Sequence, residues 1–364
     1  MPIPAKNQLI GLDIGSHAIK LVEIDHGKRG RVLKNFGVIG LPPDAIAEGA
    51  IKEMEVVSSA LKNLFRNLKI KNKNVATSVS GFSVIVKKIV LDKGAESQLE
   101  ATIQEQAEQY IPFDINEVNL DFDVLGWGGE DLEDLGSERS SEGPAKMDVV
   151  LVAAKKDIIG DYVSLLRTSG LNPGVLDVDA FALQNAFEMS AEVPQGVCAL
   201  VNVGAEELGI NAVKRGASLF TRDSSFGGLQ ITRAIMSELE VTFEEAEKMK
   251  LGAGEVDKKQ EKQIKEIFTS VVSGWGQEIK RALDFVASTY PNEAIDKIIV
   301  SGGSCRIPGF QKYLESETGI PVSELNPFEN LVISEKHFDL KYLDYMAPQA
   351  AVAAGLALRS IGDK

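Results

Sequence analysis

The stretch "IGLDIGSHAIKLVEIDHG", residues 10–27, has a counterpart in "ALVNVGAEELGINAVKRG", residues 199–216. A shift of 189 residues places the turn residue Gly15 over Gly204, and the last residue of each stretch is also a glycine. Apolar and polar residues alternate on both sides of each turn, which predicts two antiparallel strands joined by a tight turn. A repeat at about half of the chain length predicts a duplicated α/β domain with a cleft between its halves.

The composition is that of a globular protein with an acidic balance. The chain has 364 residues, of which 44% are apolar and 25% charged, and its net charge is −14. A chain of this length is too long to fold around a single hydrophobic core, so two domains are expected. The negative charge disfavours binding to nucleic acid and to anionic lipid. Because the sequence shows neither an apolar signal segment nor a bilayer-spanning run, we expect a cytoplasmic protein without direct membrane insertion.

Cysteine and histidine usage predicts no zinc-type metal site. Cys198 and Cys305 lie far apart in apolar or glycine-rich surroundings, which favours two reduced, buried thiols over a disulfide or a metal pair. The histidines His17, His26 and His337 are isolated from one another in the sequence, and no zinc-binding spacing is present.

Three segments stand out along the chain. Apolar residues at helical spacing predict a helix over residues 53–68 and a long one over about 261–288, whose stripe from Ile264 to Val286 is typical of core packing. Residues 127–146 are rich in glycine, serine and acidic side chains, so we expect a mobile hairpin loop, with a docking loop as the alternative.

Two apolar segments are candidates for partner docking. They are "SVIVKKIVL", residues 83–91, and "YIPFD", residues 110–114. The alternative is that Ile111, Phe113 and the strand valines simply belong to a core. The sequence leaves both interpretations open.

The paired turns can perform one kind of chemistry. A glycine turn lets backbone N–H groups converge on an anion, because no Cβ stands in the way, and two facing turns could grip a polyphosphate. Asp13 could hold hydrated Mg²⁺ against phosphate oxygens, and Lys20 could place its charge near a phosphate. Asp13 could instead only cap its turn, and Lys20 could be a solvated strand residue. The repeat and the "SGGS" loop at residues 301–304 favour the phosphate interpretation.

Five motifs resemble, in order and spacing, those of the ATPase superfamily of actin, heat-shock protein 70 and sugar kinases. They are "GLDIGSHAIK" (11–20), "VLDVDAFALQNAF" (175–187), "VNVGAEEL" (201–208), "IIVSGGSCRIPGF" (298–310) and "PQAAVAAGLAL" (348–358). In that superfamily they form two phosphate motifs, two connecting motifs and an adenosine motif. The resemblance implies an α/β, actin-like ATPase fold: duplicated RNase H-like domains that bind ATP in the cleft between them.

A closer resemblance covers nearly the whole chain. The segments "SGFSVIVKKI", "EAEQYIPFDINEVNLDFDVL", "VLVAAKKDIIGDYVSLL", "FTRDSSFGG", "EEAEKMK" and "LNPFENL" strongly resemble the PilM family of type IV pilus assembly proteins. The resemblance implies an adaptor at the inner face of the cytoplasmic membrane. Its partners would be the short cytoplasmic N-terminal tail of the membrane protein PilN, docking near subdomains 1A and 1C, and other proteins of the pilus assembly platform and motor.

The family is related to the bacterial cell-division actin homologue, and in both a subdomain called 1C replaces the actin 1B. The resemblance implies the following boundaries: subdomain 1A in residues 1–81 and 173–197, 1C in 82–172, 2A in 198–228 and 293–340, 2B in 229–292, and a C-terminal helix in 341–364 that returns to 1A.

The resemblance also implies a set of site residues. The first phosphate motif would supply Asp13, Gly15, Ser16 and Lys20, with Asp13 holding Mg²⁺ through water. The second would supply Asn202, Gly204 and Ala205. Ribose and adenine would meet Glu247 and Lys250, and the α-phosphate and nucleoside would meet Gly302, Gly303 and Ser304. Asp179, with Asp177 as the second choice, matches the position that orients the attacking water in hydrolytic relatives.

Two positions depart from the superfamily pattern. Asn202 stands where an Asp is usual, and an amide brings no charge to a Mg²⁺-bound water. Ala205 lacks the hydroxyl that often follows that glycine. We therefore expect ATP binding with weak or no hydrolysis.

Two other functions compete with the adaptor. A small-molecule kinase of the same superfamily would need a substrate base and insertions that shape a substrate pocket. A filament-forming division protein would be expected to carry a C-terminal amphipathic membrane helix, whereas "GLALRSIGDK", residues 355–364, follows the second connecting motif directly.

Overall fold

A computed structural model describes residues 8–27, 30–92, 96–125, 146–190, 195–254 and 256–363. The acidic segment predicted as a hairpin or docking loop, residues 127–145, lies outside the described residues.

The first repeat builds a five-stranded sheet. Its early elements are β1 (Ile10–Ile14), β2 (Ala18–Gly27), β3 (Gly30–Gly40), the short pair β4 (Ile46–Ala47) and β5 (Ala50–Ile51), α1 (Met54–Asn67) and β6 (Asn74–Val79). Strands β1 to β3 form an antiparallel meander, and β6 adds parallel to β1. Helix α1 forms because Val57, Leu61 and Leu64 recur at helical spacing, and it buries that face against the sheet.

A three-stranded module follows the first part of the sheet. It consists of β7 (Val84–Asp92), α2 (Glu96–Ala107), β8 (Val118–Val124) and β9 (Lys146–Lys155). The strands are antiparallel in the order β7-β9-β8, and the module has its own apolar core. Ile111 is buried in that core and Phe113 packs against it, which confirms the core interpretation for these two residues.

The chain then returns to the first sheet through α3 (Lys156–Thr168), β10 (Asn172–Val178) and α4 (Asp179–Ser190). Helix α3 packs its buried residues Tyr162, Leu165 and Leu166 into the core of the first sheet. The inserted module is therefore residues 84–155 by packing, and we propose to draw the end of subdomain 1C at Lys155 rather than at residue 172.

The second half contains the remaining elements. They are β11 (Val197–Val203), β12 (Leu208–Lys214), β13 (Ala217–Ser224), α5 (Gly228–Leu239), α6 (Phe243–Lys250), α7 (Lys258–Thr289), β14 (Ile295–Ser301), α8 (Phe310–Thr318), β15 (Val322–Glu324), α9 (Leu340–Met346), a 3-10 turn (Ala347–Ala350) and α10 (Ala351–Leu356). Helix α7 buries the predicted apolar stripe, including Ile267, Trp275 and Ile279, against the second sheet.

The two large sheets have the same strand order. The first runs β3-β2-β1-β6-β10 and the second β13-β12-β11-β14-β15. In each, an antiparallel meander is followed by two strands parallel to its first strand. The predicted duplication of an α/β domain is therefore confirmed.

Helices α4 and α10 lie between the sheets and approach unusually closely. A Cβ built on Gly355 of α10 would lie 1.6 Å from the carbonyl oxygen of Ala182 in α4. A Cβ on Gly11 of β1 would lie 2.0 Å from the carbonyl oxygen of Ala353. Both contacts are to backbone, which cannot move aside as a flexible side chain can. The two connecting motifs therefore meet through glycine and alanine.

Strand β8 is an edge of the module, and its side chains satisfy its own backbone. Oδ1 of Asp121 accepts the amide of Phe122, and Oδ1 of Asp123 accepts the amide of Val124, both at 2.9 Å. The amide of Leu125 instead donates to the carbonyl of Asp148 in β9. Successive amides of a strand point to opposite sides, so the amides of Phe122 and Val124 point away from β9. The outward amides of Phe122 and Val124 are thus already bonded.

Both cysteines, Cys198 and Cys305, are free thiols and buried, as predicted. Within the described ranges, no helix combines the length and the apolar character needed to cross a membrane.

The contact between α4 and α10 predicts a sharp difference between two helical glycines. Gly355→Ala should lower the free energy of unfolding by on the order of 3 kcal/mol or prevent folding, because its methyl group meets backbone. Gly160→Ala, in α3, meets nothing within 4 Å and should be neutral or stabilise by about 1 kcal/mol. Urea unfolding of both variants checks the pair, and equal effects would contradict the packing described.

Candidate functional site

A cavity of about 830 Å³ lies between the two halves of the molecule. Its walls include the β1–β2 turn, the β11–β12 turn, the starts of α4 and α5, and the loop after β14. Its size is within the range of about 300–1,000 Å³ that is common for small-molecule sites. All predicted site residues except Asp177 line it.

The first turn places opposite charges side by side. Asp13 and Lys20 are register partners on β1 and β2, and Nζ of Lys20 lies 3.1 Å from Oδ2 of Asp13. Their side chains are only 15% and 17% exposed, so Lys20 is not a freely solvated strand residue. The turn is closed by the amide of Gly15, which donates to the carbonyl of Ala18.

The second turn is built in the same way. The amide of Gly204 donates to the carbonyl of Glu207 at 2.8 Å, three residues on, as in the first turn. The amides of Gly228 and Leu229, at the start of α5, hold the carbonyls of Gly204 and Ala205. The first glycine of "FGG" is required here, because a Cβ on Gly227 would lie 2.3 Å from the carbonyl oxygen of Ala205.

The loop after β14 presses against the second turn. Gly302 has φ +86°, and its Cβ would lie 2.4 Å from the carbonyl oxygen of Val203, so only glycine fits. Oγ of Ser304 donates to the carbonyl of Gly204 at 2.8 Å. Oγ of Ser301 donates to Oδ1 of Asn202 at 3.2 Å, which orients the amide that stands in place of a carboxylate.

Glu247 and Lys250 pair with each other in the cavity wall, beside the start of α5. Nζ of Lys250 lies 2.5 Å from Oε1 of Glu247 and donates to Oγ1 of Thr232 at 2.9 Å, and Thr232 also donates to Glu247. The side chains are 14% and 15% exposed. The pair is therefore a largely buried part of the cavity wall and not a solvated surface salt bridge.

The structure separates the two aspartates of the first connecting motif. Asp179 lines the cavity, whereas Asp177 forms an ion pair with Nε of Arg359 at 3.0 Å. Residues two apart on a strand would share a face, but Asp177 lies in β10 and Asp179 is the first residue of α4, so the change from strand to helix gives the two side chains different surroundings. Of the two, Asp179 alone contacts the cavity.

Sequence reasoning missed two further carboxyl groups, those of Glu207 and Asp223. Oγ of Ser80 donates to Oε2 of Glu207 at 2.8 Å, and the amide of Gly81 donates to Oδ2 of Asp223 at 2.9 Å. These residues come from separate segments without a common motif. Only the acidic doublet in "GAEEL" could have drawn attention to the turn.

Burial raises the pKa of these carboxyl groups. It raises the pKa of Asp179 to about 7, and the nearby charge of Asp13 adds to the shift. Burial also raises the pKa of Glu207 well above its usual value, with Asp223 adding to the effect. The side chain of Ser80 hydrogen-bonds both Asp179 and Glu207. A hydroxyl has one proton, so Ser80 can donate to Glu207 while it accepts from a protonated Asp179.

Aromatic and basic groups at one end of the cavity were also missed. The guanidinium of Arg306 lies 5.7 Å from the ring centre of Tyr345, and both residues line the cavity. Nε of Arg306 donates to Glu324 at 2.6 Å, which fixes the guanidinium plane. A planar ligand group could stack on this pair.

More carboxylates than basic groups line the cavity, so an anionic ligand would enter it most favourably together with a cation. Among the residues described, no cluster of three or more His, Cys, Asp or Glu could by itself hold a metal ion. Mg²⁺ does not need such a cluster, because it keeps several waters and is usually held by one or two carboxylates together with phosphates. Asp13 fits that requirement.

Comparison with known proteins assigns the class. The duplicated sheets and facing turns define a protein of the actin-like ATPase fold, and the predicted fold is confirmed. MreB5 of Spiroplasma citri, solved bound to AMPPNP, has this fold, with 13% identity, 97% of this chain and 95% of that chain covered, and a TM-score of 0.50. EutJ from Carboxydothermus hydrogenoformans has it as well, with 15% identity, 98% and 91% covered, and a TM-score of 0.56.

The family model described as "Type IV pilus assembly protein PilM" matches residues 11–361, and the chain belongs to this family. A solved "PilM-PilN type IV pilus biogenesis complex" is 28% identical, covers 98% of this chain and 99% of that chain, and has a TM-score of 0.84. The ethanolamine utilization protein EutJ of Escherichia coli (strain K12) is 29% identical over 110 residues. That match covers 30% of this chain and 34% of the relative, so the chain spans about a third of the length of that curated protein.

The raised pKa of Asp179 predicts a pH-dependent effect of its neutralisation. Its pKa of about 7 in the folded protein exceeds the ordinary aspartate value of 3.8, so its ionisation lowers the free energy of unfolding increasingly as the pH rises from about 4 to about 7. Asp179→Asn keeps a donor for Ser80 and should raise the melting temperature by a few degrees at pH 8. The gain should shrink towards pH 5, which thermal unfolding at both pH values checks. A gain that is equal at both would refute the buried-carboxyl explanation.

Proposed function

We propose that the protein is a cytoplasmic, nucleotide-binding adaptor of the type IV pilus inner-membrane platform. In this proposal it binds Mg-ATP in the cavity between its halves and the short cytoplasmic tail of PilN on its surface. The observation that carries the nucleotide part is the pair of equivalent turns, which line one cavity from opposite halves. Family membership carries the pilus part.

The turns would hold the phosphates. Backbone groups of Gly15 and Ser16 would approach from one half, and those of Gly204 and Ala205 from the other. Lys20 would exchange its contact with Asp13 for one with a phosphate oxygen, which frees Asp13 for a water of Mg²⁺. When bound, the cation would supply the positive charge that this acidic cavity lacks.

The other end of the cavity would hold the nucleoside. Glu247 and Lys250 offer an acceptor and a donor for ribose and adenine edges, and the Gly302–Ser304 loop lets the backbone come close to the α-phosphate. The fold itself can hold an adenine nucleotide, since MreB5 was solved bound to AMPPNP. Arg306 and Tyr345 offer a stacking surface beside them.

Partner binding follows from the family. A relative of this chain was solved as a PilM-PilN complex, and we propose that the PilN tail docks here where the inserted module meets the first half, near subdomains 1A and 1C. Such a contact would keep an acidic protein at the inner face of the membrane, close to other platform and motor proteins, without inserting into lipid.

The nucleotide proposal predicts a specific dependence on Asp13. Wild-type protein should bind Mg-ATP by isothermal titration calorimetry, and Asp13→Ala should weaken binding at least about tenfold, because it removes the anchor for the hydrated cation. Asp25→Ala, on β2 and paired with Lys34, serves as the control and should bind as wild type does. Heat of binding absent from the wild-type protein would refute the nucleotide proposal.

A second prediction concerns turnover. We expect wild-type hydrolysis to be slow or undetectable, and Asn202→Asp to increase the Mg²⁺-dependent phosphate release by restoring a charge next to the phosphates. Adding Asp13→Ala to that variant should abolish the gain. If Asn202→Asp leaves hydrolysis unchanged, the slow step lies elsewhere, at Asp179 or in closure of the cleft.

A further inference from the structure

The second phosphate turn reaches across the cavity with two acidic side chains. Glu207 accepts the hydroxyl of Ser80 at 2.8 Å, and its neighbour Glu206 accepts the backbone amide of Glu48 at 3.2 Å. Ser80 and Glu48 belong to the first half of the molecule. The turn proposed to bind phosphate is therefore hydrogen-bonded directly to the opposite half.

A further carboxylate joins the same contact. Asp223 of β13, the register partner of Gly209 on β12, accepts the amide of Gly81 at 2.9 Å. Gly81 has φ +77°, and a Cβ built there would lie 2.9 Å from Oε1 of Glu207. Glycine is thus required both by the backbone conformation and by the closeness of the carboxyl group.

One carboxyl oxygen of Glu207 lacks a hydrogen-bond donor in this contact. Oε1 is buried and accepts no hydrogen bond from any residue that the structure describes. A buried acceptor without a partner costs on the order of 1–3 kcal/mol, so the contact is weaker than its short distance to Ser80 implies. Because this contact contributes little net free energy, a small displacement of the turn can break or strengthen it.

The place of Ser80 and Gly81 in the chain gives this contact a route to the inserted module. They follow β6 and lead through a 3-10 turn, Gly81–Ser83, directly into β7, the first strand of the module. Further along β7, the ammonium of Lys88 lies 5.6 Å from the ring centre of Tyr290 in the second half. The half that carries the second phosphate turn therefore contacts the first strand of the module both just before its start and near its middle.

We propose that the Glu207–Ser80 and Asp223–Gly81 hydrogen bonds couple the second phosphate turn to the inserted module, so that a nucleotide in the cavity and a partner on the module change each other's affinity. This inference rests on the proposed function for its two ligands. Ser80 acts here as a positioning residue, because it transmits a displacement of the turn.

The coupling is reciprocal by thermodynamic linkage. If the nucleotide changes the peptide affinity by some factor, the peptide changes the nucleotide affinity by the same factor. Typical factors are about 5–150. The factor is the ratio of the peptide affinities with and without nucleotide in the same variant. A substitution that weakens peptide binding equally under both conditions therefore leaves the factor unchanged.

The test measures this factor in full-length protein. The dissociation constant of a synthetic PilN tail peptide is determined by fluorescence anisotropy without nucleotide and with saturating Mg-AMPPNP. Wild type should show a change of at least about fivefold. Ser80→Ala should bring the factor close to one, and Glu207→Gln, which keeps an acceptor for Ser80 but can no longer ionise, should give an intermediate value.

Ser59→Ala is the control, since it removes an exposed hydroxyl from α1, away from both the contact and the cavity. It should keep the wild-type factor. Hydrogen exchange gives a second measurement without peptide: Mg-AMPPNP should alter exchange in β7 of wild type and of Ser59→Ala, but not of Ser80→Ala.

The outcomes separate the two proposals. A wild-type protein that binds no nucleotide refutes the proposed function and this inference with it. A wild-type protein that binds both ligands without mutual influence refutes the coupling and leaves the adaptor intact. A factor in Ser80→Ala equal to that in Ser59→Ala also refutes the assignment to this contact.

Discussion

The close crossing of α4 and α10 between the two sheets sets the geometry of the rest of the molecule. Helix α10 lies against β1 of the first sheet, and α4 begins where β10 of the same sheet ends. Asn211 of β12 donates to the carbonyl of Ala180 at the start of α4, so the second sheet is fixed to the same pair of helices. With the two sheets attached to one rigid pair, the β1–β2 and β11–β12 turns open into a single cavity. The site is a consequence of this packing.

The electrostatics of that cavity set its chemistry. Lys20 and Lys250 are each engaged with a carboxylate, and Asp179, Glu207 and Asp223 are buried with raised pKa values. Such a cavity holds protons or a cation in preference to a bare anion. A polyphosphate that arrives with Mg²⁺ would satisfy this condition, so the acidic lining is compatible with the proposed nucleotide.

The sequence predicted the fold well because its signal was periodic. Two glycine turns at one offset, each flanked by alternating residues, are enough to define paired hairpins and a duplicated sheet. The site was predictable where it lay in those motifs, as for Asp13 and Gly204. Glu207, Asp223, Arg306 and Tyr345 could not be found in this way, because they meet only through the packing of distant segments. The resemblance ranked Asp179 ahead of Asp177, whereas the residue pattern alone does not separate them, since the end of β10 decides which of them faces the cavity.

The self-bonded edge of β8 bears on how this protein can associate. An exposed edge strand normally presents unpaired amides that another strand can use, and association through such edges leads to open-ended aggregates. Here Asp121 and Asp123 occupy those amides and place negative charge along the same line. A visiting strand would have to displace both carboxylates and tolerate their repulsion. Along β8 the module thus offers a neighbour carboxylate side chains in place of free amides, which disfavours the extension of its sheet from this edge.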